Sequence, residues 1–130
     1  MDGWRKKKLN RKNSLSGKSQ IDLVFLKGSN FFIYPFRFKF LSIKETTISE
    51  KLVLFSVSKR NFKKATTRNL VKRRMREGYR LNQTMLHTNE TLHLAMIYSA
   101  KEVHDFRFIE EKLILGLKRL SEKLSPTSAS

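Results

Sequence analysis

The spacing of apolar residues divides the chain into elements. From Ser16 to Lys27 it is helical: Ile21, Val24, Phe25 and Gly28 fall at i, i+3, i+4 and i+7, with Ser16 as N-cap and Gly28 as the C′ residue. The following stretch, NFFIYPFRFKFLSI, alternates instead. Phe32, Tyr34, Phe36, Phe38 and Phe40 share one parity, and Arg37 and Lys39 the other, which predicts a strand with one buried face. Pro35 cannot donate to a ladder, so a bulge or a short edge strand is expected before it. KLVLFSVSK, Lys51 to Lys59, reads as a β-branched, apolar strand. The short polar KETTISE before it predicts an antiparallel pair with the preceding strand.

Farther along, LHLAMIYS (Leu92 to Ser99) is another strand. A helix then follows from about Asp105, with Ile109, Leu113, Leu117, Leu120 and Leu124 on one face. The order α-β-β-(β)-α-β-α predicts a mixed α+β or α/β sandwich. At 130 residues it suits a single domain, placed at 16–124. Residues 1–15 carry Arg5, Lys6, Lys7, Lys8, Arg11 and Lys12 with few apolar neighbours and read as a flexible basic arm. The small polar residues 125–130 read as a disordered tail.

The segment TTRNLVKRRMREGYRLN, Thr66 to Asn82, changes the picture because its periodicity sorts charge as well as hydrophobicity. Thr66 or Thr67 is the expected N-cap. At 100° per residue, Val71, Met75, Gly78 and Tyr79 form a core-facing arc. Asn69, Lys72, Arg73, Arg76 and Arg80 form the opposite arc. Arg68 lies near the boundary in the first turn, and Arg74 flanks the core arc, its stem placed to snorkel. A solvated helix face normally places acids at i+4 to relieve repulsion, and here Glu77 is the one acid available. The run begins earlier, at Lys59, Arg60, Lys63 and Lys64, and Arg dominates the helix, as suits bidentate phosphate contacts. A phosphate-rich partner fits this asymmetry better than solvent does.

The whole chain agrees, with 28 Lys and Arg against 11 Asp and Glu, a net charge of +17. No apolar run approaches a membrane span, and MDGWRKKKLNRKNSLSG lacks the apolar stretch of a secretory signal. The absence of cysteine excludes disulfides and thiolate metal sites, and a cytoplasmic location is expected. Protein-based two-metal hydrolysis would need clustered carboxylates, whereas Asp2, Asp22, Asp105 and eight Glu show no grouping near the basic run. Glu110 and Glu111 are adjacent, but helix neighbours point about 100° apart. His87, His93 and His104 have neither ligand spacing nor a Ser or Cys partner, so surface roles are expected for them. No catalytic residue and no metal site in the protein is expected.

SVSKR (Ser56 to Arg60), the spacer NFKKATT and RNLVKRRMRE (Arg68 to Glu77) together resemble the protein subunit of bacterial ribonuclease P. That family carries an Arg-Asn-Arg start followed by Lys-Arg and Arg-Glu, in a strand–loop–helix setting. IDLVFLKG is similar to its first helix and HDFRFIEEKLILGLKRL to its last, so the likeness covers roughly residues 9 to 124. Leu70 replaces the motif's second Arg, and Gly78 stands where Ala or Ser is usual.

The resemblance implies an α+β sandwich with a mixed sheet of about four strands and a left-handed β-α-β crossover, against the usual hand. It also implies a ribonucleoprotein endonuclease that removes the 5′ leader of precursor tRNA, the RNA subunit catalysing through bound Mg²⁺. The partners implied are the catalytic RNA, held by the basic loop and helical stripe, and precursor tRNA. By alignment, Ile21, Phe25, Arg37 and Lys39 line a cleft for the single-stranded leader; as an i, i+4 apolar pair, Ile21 and Phe25 are equally readable as core. Two alternatives use the same charge: a ribosomal or other structured-RNA scaffold protein without a processing role, and a helix-turn-helix DNA binder. The strands on either side of the basic helix are a poor setting for the second.

Overall fold

A computed structural model describes residues 17–43, 50–86, 88 and 90–124 of the chain. The expected basic arm, Ser16, residues 44–49 of the KETTISE connection, His87 and the expected tail lie outside the described residues. Helix α1 spans Lys18–Lys27 and follows Gly17, with no side-chain cap. Val24 is its one fully buried residue. Gly28 ends it by donating its N–H to the Val24 carbonyl at 2.9 Å, but with φ −74° rather than the left-handed conformation expected of a C′ glycine. Its purpose is close approach. A Cβ there would sit 2.4 Å from the Val24 oxygen and 2.7 Å from the Phe40 oxygen.

The aromatic stretch forms a hairpin of β1, Ser29–Ile33, and β2, Phe36–Ile43. The Tyr34–Pro35 peptide at its tip is cis. Pro35 is therefore preceded by a short edge strand, one of the two outcomes expected of it. The single parity expected across the stretch does not hold. Ile33 pairs with Phe36, Phe32 with Arg37 and Phe31 with Phe38, so the two-residue turn carries Phe32 to the side of Arg37. Phe36, Phe38 and Phe40 are buried as expected, whereas Phe32 and Tyr34 are 49% and 43% exposed.

Strand β3 spans Lys51–Val57, helix α2 Ala65–Asn82, β4 Thr91–Tyr98 and α3 Phe106–Leu124, with a 3₁₀ turn, Gln83–Met85, after α2. The sheet order is β1-β2-β4-β3. β2 and β3 are therefore not the antiparallel pair expected from their short connection: β4 lies between them, antiparallel to β2 and parallel to β3. The reason is burial on both faces. Leu92, Leu94, Met96 and Tyr98 on one side of β4 and His93 and Ala95 on the other are all buried, and a strand apolar on both sides takes the centre of a sheet.

Helices α2 and α3 pack on the face bearing Phe36, Phe38, Phe40, Val53, Phe55 and Val57, and this layer is the core. In α3, Ile109, Leu113, Leu117 and Leu120 are buried and Leu124 packs against the core, the face the periodicity predicts. The Asp105 carboxylate caps it by accepting the Phe108 N–H at 2.9 Å. Gly116 lets α3 lie on the sheet, because a Cβ there would be 2.1 Å from Phe38 Cζ. Helix α1 covers the other face, over β2 and β4.

Candidate nucleic-acid interface

Helix α2 begins at Ala65, earlier than expected, with Lys64 at the N-cap position and no side-chain cap from either threonine. Its buried residues are Val71, Met75, Gly78 and Tyr79, the core arc read from the sequence. Except at Arg80, the side chains of the opposite arc make no hydrogen bond or ion pair with the described residues. Asn69, Arg73 and Arg76 are exposed and Lys72 is half-buried. With Thr66 and Leu70 these four line a shallow groove of about 370 Å³. Leu70 puts an apolar wall among the cations, where the family motif has a further Arg. Arg76 also lies 5.6 Å from the Phe55 ring centroid, which orients its guanidinium along the outer edge of β3.

Not every cation of the run is free. Arg68 turns back and donates to the carbonyls of Phe62 at 2.8 Å and Lys63 at 2.9 Å. Arg74 donates to the His104 carbonyl at 2.7 Å, in keeping with its place beside the core arc. Arg80 forms a two-bond pair with Glu77, at 3.0 Å for its Nε, and that hydrogen bond is the main reason the Glu77 carboxyl is held below its ordinary range. The free stripe is therefore Asn69, Lys72, Arg73 and Arg76.

The loop before α2 extends it. Phe62 is buried beside Tyr98, Asn61 reaches the carbonyls of Ser99 and Ala100 at 3.4 Å, and Arg68 holds the loop from the helix side. These anchors leave Lys59, Arg60, Lys63 and Lys64 exposed beside the first turn of α2. One surface thus carries loop and helix cations together. Nothing in the local sequence marks Arg68 as an anchor, since its partners depend on the path of the loop.

A second surface lies on the α1 side of the sheet. The register puts Phe32, Arg37, Ile97 and Ser56 in one row and Asn30, Lys39, Ala95 and Leu54 in the next. The half-buried Ile21 and the 41% exposed Phe25 come from α1. Phe25 is therefore not a core residue, and Val24 takes that role. Lys39 Nζ lies 5.1 Å from the Phe25 ring and Arg37 Cζ 5.9 Å from the Phe32 ring. The structure brings Lys39 to Phe25, with Arg37 in the neighbouring row beside Phe32 and Ile21 on the same helix as Phe25. It adds Phe32, which the parity of the stretch assigns to the core.

His93 corrects a further expectation. It is 5% exposed rather than at the surface, opposite Leu41 and Leu52 in the next row of that face. Its Nδ1 lacks a hydrogen-bond partner among the described residues, and desolvation lowers its pKa, against a smaller upward effect of Glu50. His104 is partly exposed and structural, stacked on Phe108 at 4.3 Å and 3.1 Å from the Tyr34 hydroxyl. Among the described residues no group of three or more His, Asp or Glu converges as a metal ion would require. Glu110 instead accepts from Asn82 at 2.9 Å. None of the described helices is long and apolar enough to cross a membrane.

The family model for ribonuclease P matches residues 9–121. The chain belongs to the ribonuclease P protein family. It is similar to the ribonuclease P protein component of Porphyromonas gingivalis, with 34% identity over 128 residues, covering 93% of this chain and 91% of that protein. Among solved structures it resembles the RNase P protein of Thermotoga maritima, at TM-score 0.68 and 27% identity over 82% of this chain and 96% of the other. The Staphylococcus aureus RNase P protein shares the fold, at TM-score 0.62 and 18% identity over 86% and 93% of the two chains. Family membership makes the chain a protein component of ribonuclease P, one part of an endoribonuclease holoenzyme. It also separates the chain from a ribosomal scaffold, which composition alone leaves open.

Proposed function

We propose that this protein docks the catalytic RNA of ribonuclease P on the α2 stripe and basic loop and guides the 5′ leader of precursor tRNA through the α1-side cleft. The observation that carries the reading is the sorting of charge on α2. Asn69, Lys72, Arg73 and Arg76 line one groove with no acid in it, and a phosphodiester backbone neutralises such a row. Phosphates and 2′-hydroxyls are its natural partners, because cations and an amide read shape and backbone rather than base edges. Lys59, Arg60, Lys63 and Lys64 widen this contact, and residues 1–15 add a basic arm to the 16–124 domain. Arg68 and Arg80 shape the surface more than they touch RNA, since their guanidinium groups are engaged within the protein.

In the cleft, Phe25 and Phe32 offer faces for unpaired bases, and Lys39 and Arg37 sit where the strand's phosphates pass. Stacking beside positive charge holds a single strand with little sequence preference. The described carboxylates do not form a metal cluster, so the residues present do not fit a catalytic Mg²⁺. Hydrolysis is assigned to the RNA subunit and its own Mg²⁺. The protein contributes charge neutralisation and leader placement, in the cytoplasm, where the product is mature tRNA with its 5′ end exposed.

The test is reconstituted cleavage. Precursor tRNA is incubated with ribonuclease P RNA at low Mg²⁺, with and without the protein. Faster leader removal with the protein is expected, and equal rates with and without it would sink the reading.

A further inference from the structure

A third cationic cluster lies on neither of these surfaces. Phe31 of β1 stacks on Phe38 with centroids 4.9 Å apart, and Arg119 Cζ and Lys123 Nζ each lie 5.7 Å from the Phe31 ring. Both cations are exposed and stand one turn apart on α3, at i and i+4, where like charges repel. Lys123 also lines a groove of about 350 Å³ with Lys27 from the end of α1, Ser29 and Leu41. Among the described residues, Lys27, Arg119 and Lys123 have no carboxylate within ion-pair distance. Glu90 on the groove wall is engaged by the Ser42 hydroxyl. Arg119 and Lys123 beside the Phe31 ring, with Lys27 across the groove from Lys123, outnumber the single Glu90 carboxylate and suit a bound anion.

The position of the cluster identifies the anion. β1 is the sheet's outer strand, on the opposite side from β3 and the α2 stripe. Phe31 and Phe32 are successive residues, so they point to opposite faces of that strand. Phe32 carries Arg37 on the cleft face, and Phe31 carries Arg119 and Lys123 on the helical face. Aromatic–cation pairs therefore run from the cleft around the β1 edge, interrupted only by the thickness of one strand. A duplex is too broad to follow that path, whereas a single strand with rotatable phosphodiesters can. We propose that single-stranded RNA leaving the cleft crosses the β1 edge and is held by Lys27, Arg119 and Lys123, which bind leader nucleotides beyond those in the cleft. The inference rests on the cleft reading given under Proposed function.

The experiment measures binding of precursor tRNAs of graded leader length to the reconstituted holoenzyme, with unaltered protein and with Arg119→Gln/Lys123→Gln. Gln keeps much of each stem, and circular dichroism with a thermal melt checks α3. With the longest leaders the variant is expected to bind on the order of tenfold more weakly, with a salt slope lower by about 0.7 for each phosphate no longer neutralised. The shortest leaders should show no difference. A variant that matches the unaltered protein at every length would overturn the proposal. So would an equal loss at every length, which would assign these cations to the RNA subunit or the tRNA body. If the unaltered holoenzyme binds all leader lengths alike, the cleft reading itself fails. In that case Arg37→Gln/Lys39→Gln will also have no leader-dependent effect.

Discussion

Arg68 and Arg73 belong to one helix and one charge run, yet their surroundings separate them. Arg73 stands free in the groove, and Arg68 is spent on two backbone carbonyls. Arg68→Ala should lower stability by about 1 kcal/mol through loosening of the basic loop, whereas Arg73→Ala should leave the melting temperature nearly unchanged and weaken RNA binding. Thermal melts run beside RNA titrations distinguish the two. The helix's free side is legible in the sequence because 3.6-residue periodicity is local. Arg68's role is not, because the accepting carbonyls lie in a loop whose path depends on Phe62 and Asn61. His93 escapes the sequence for a similar reason: one polar residue in an apolar strand does not reveal which face is covered. Burial lowers its folded pKa, so between the folded and unfolded values the unfolded chain binds more protons. Stability should therefore be complete above about pH 6.5 and fall as the pH drops below it. His93→Leu should flatten that decline in denaturant titrations between about pH 7.5 and pH 5, and an unchanged decline would assign it to other groups.

Two helical glycines make opposite predictions about how the elements pack. At Gly78 in α2 the nearest heavy atom to an added Cβ is Leu113 Cδ1 at 3.5 Å, an ordinary contact. Gly78→Ala should thus stabilise the protein by about 0.5–1 kcal/mol through helix propensity. At Gly116 in α3 the added carbon would overlap Phe38, and Gly116→Ala should cost roughly 1–3 kcal/mol or more as the helix shifts off the sheet. Chemical denaturation measures both. Helices α2 and α3 are readable from sequence to within a few residues because each buries one clear stripe. Strand order is less so. A short connection suggests that β2 and β3 pair, but pairing is decided by which strand can be buried on both faces, and TLHLAMIY is that strand. The hairpin misleads for a geometric reason, since its turn reverses which parity faces the core.

Across the whole molecule, the sheet separates two tasks. One face is closed by α2 and α3 into the core, and the outer side of α2 is left with exposed cations. The other face is only partly covered by α1, leaving aromatic rings beside cations. Such a division suits a protein that grips a folded RNA by its backbone while a single strand lies in a separate channel. Net charge of +17 assists both by drawing polyanions to the surface, but only the sorted stripe gives the attraction a direction. The most direct test is the salt dependence of binding to ribonuclease P RNA for the unaltered protein and for Lys72→Ala/Arg73→Ala/Arg76→Ala, with circular dichroism confirming the fold. The slope of log K against log salt should become shallower by up to about one unit for each phosphate that the variant leaves unneutralised, with weaker binding throughout. An unchanged slope in a folded variant would place the RNA on another surface and contradict the role assigned to α2.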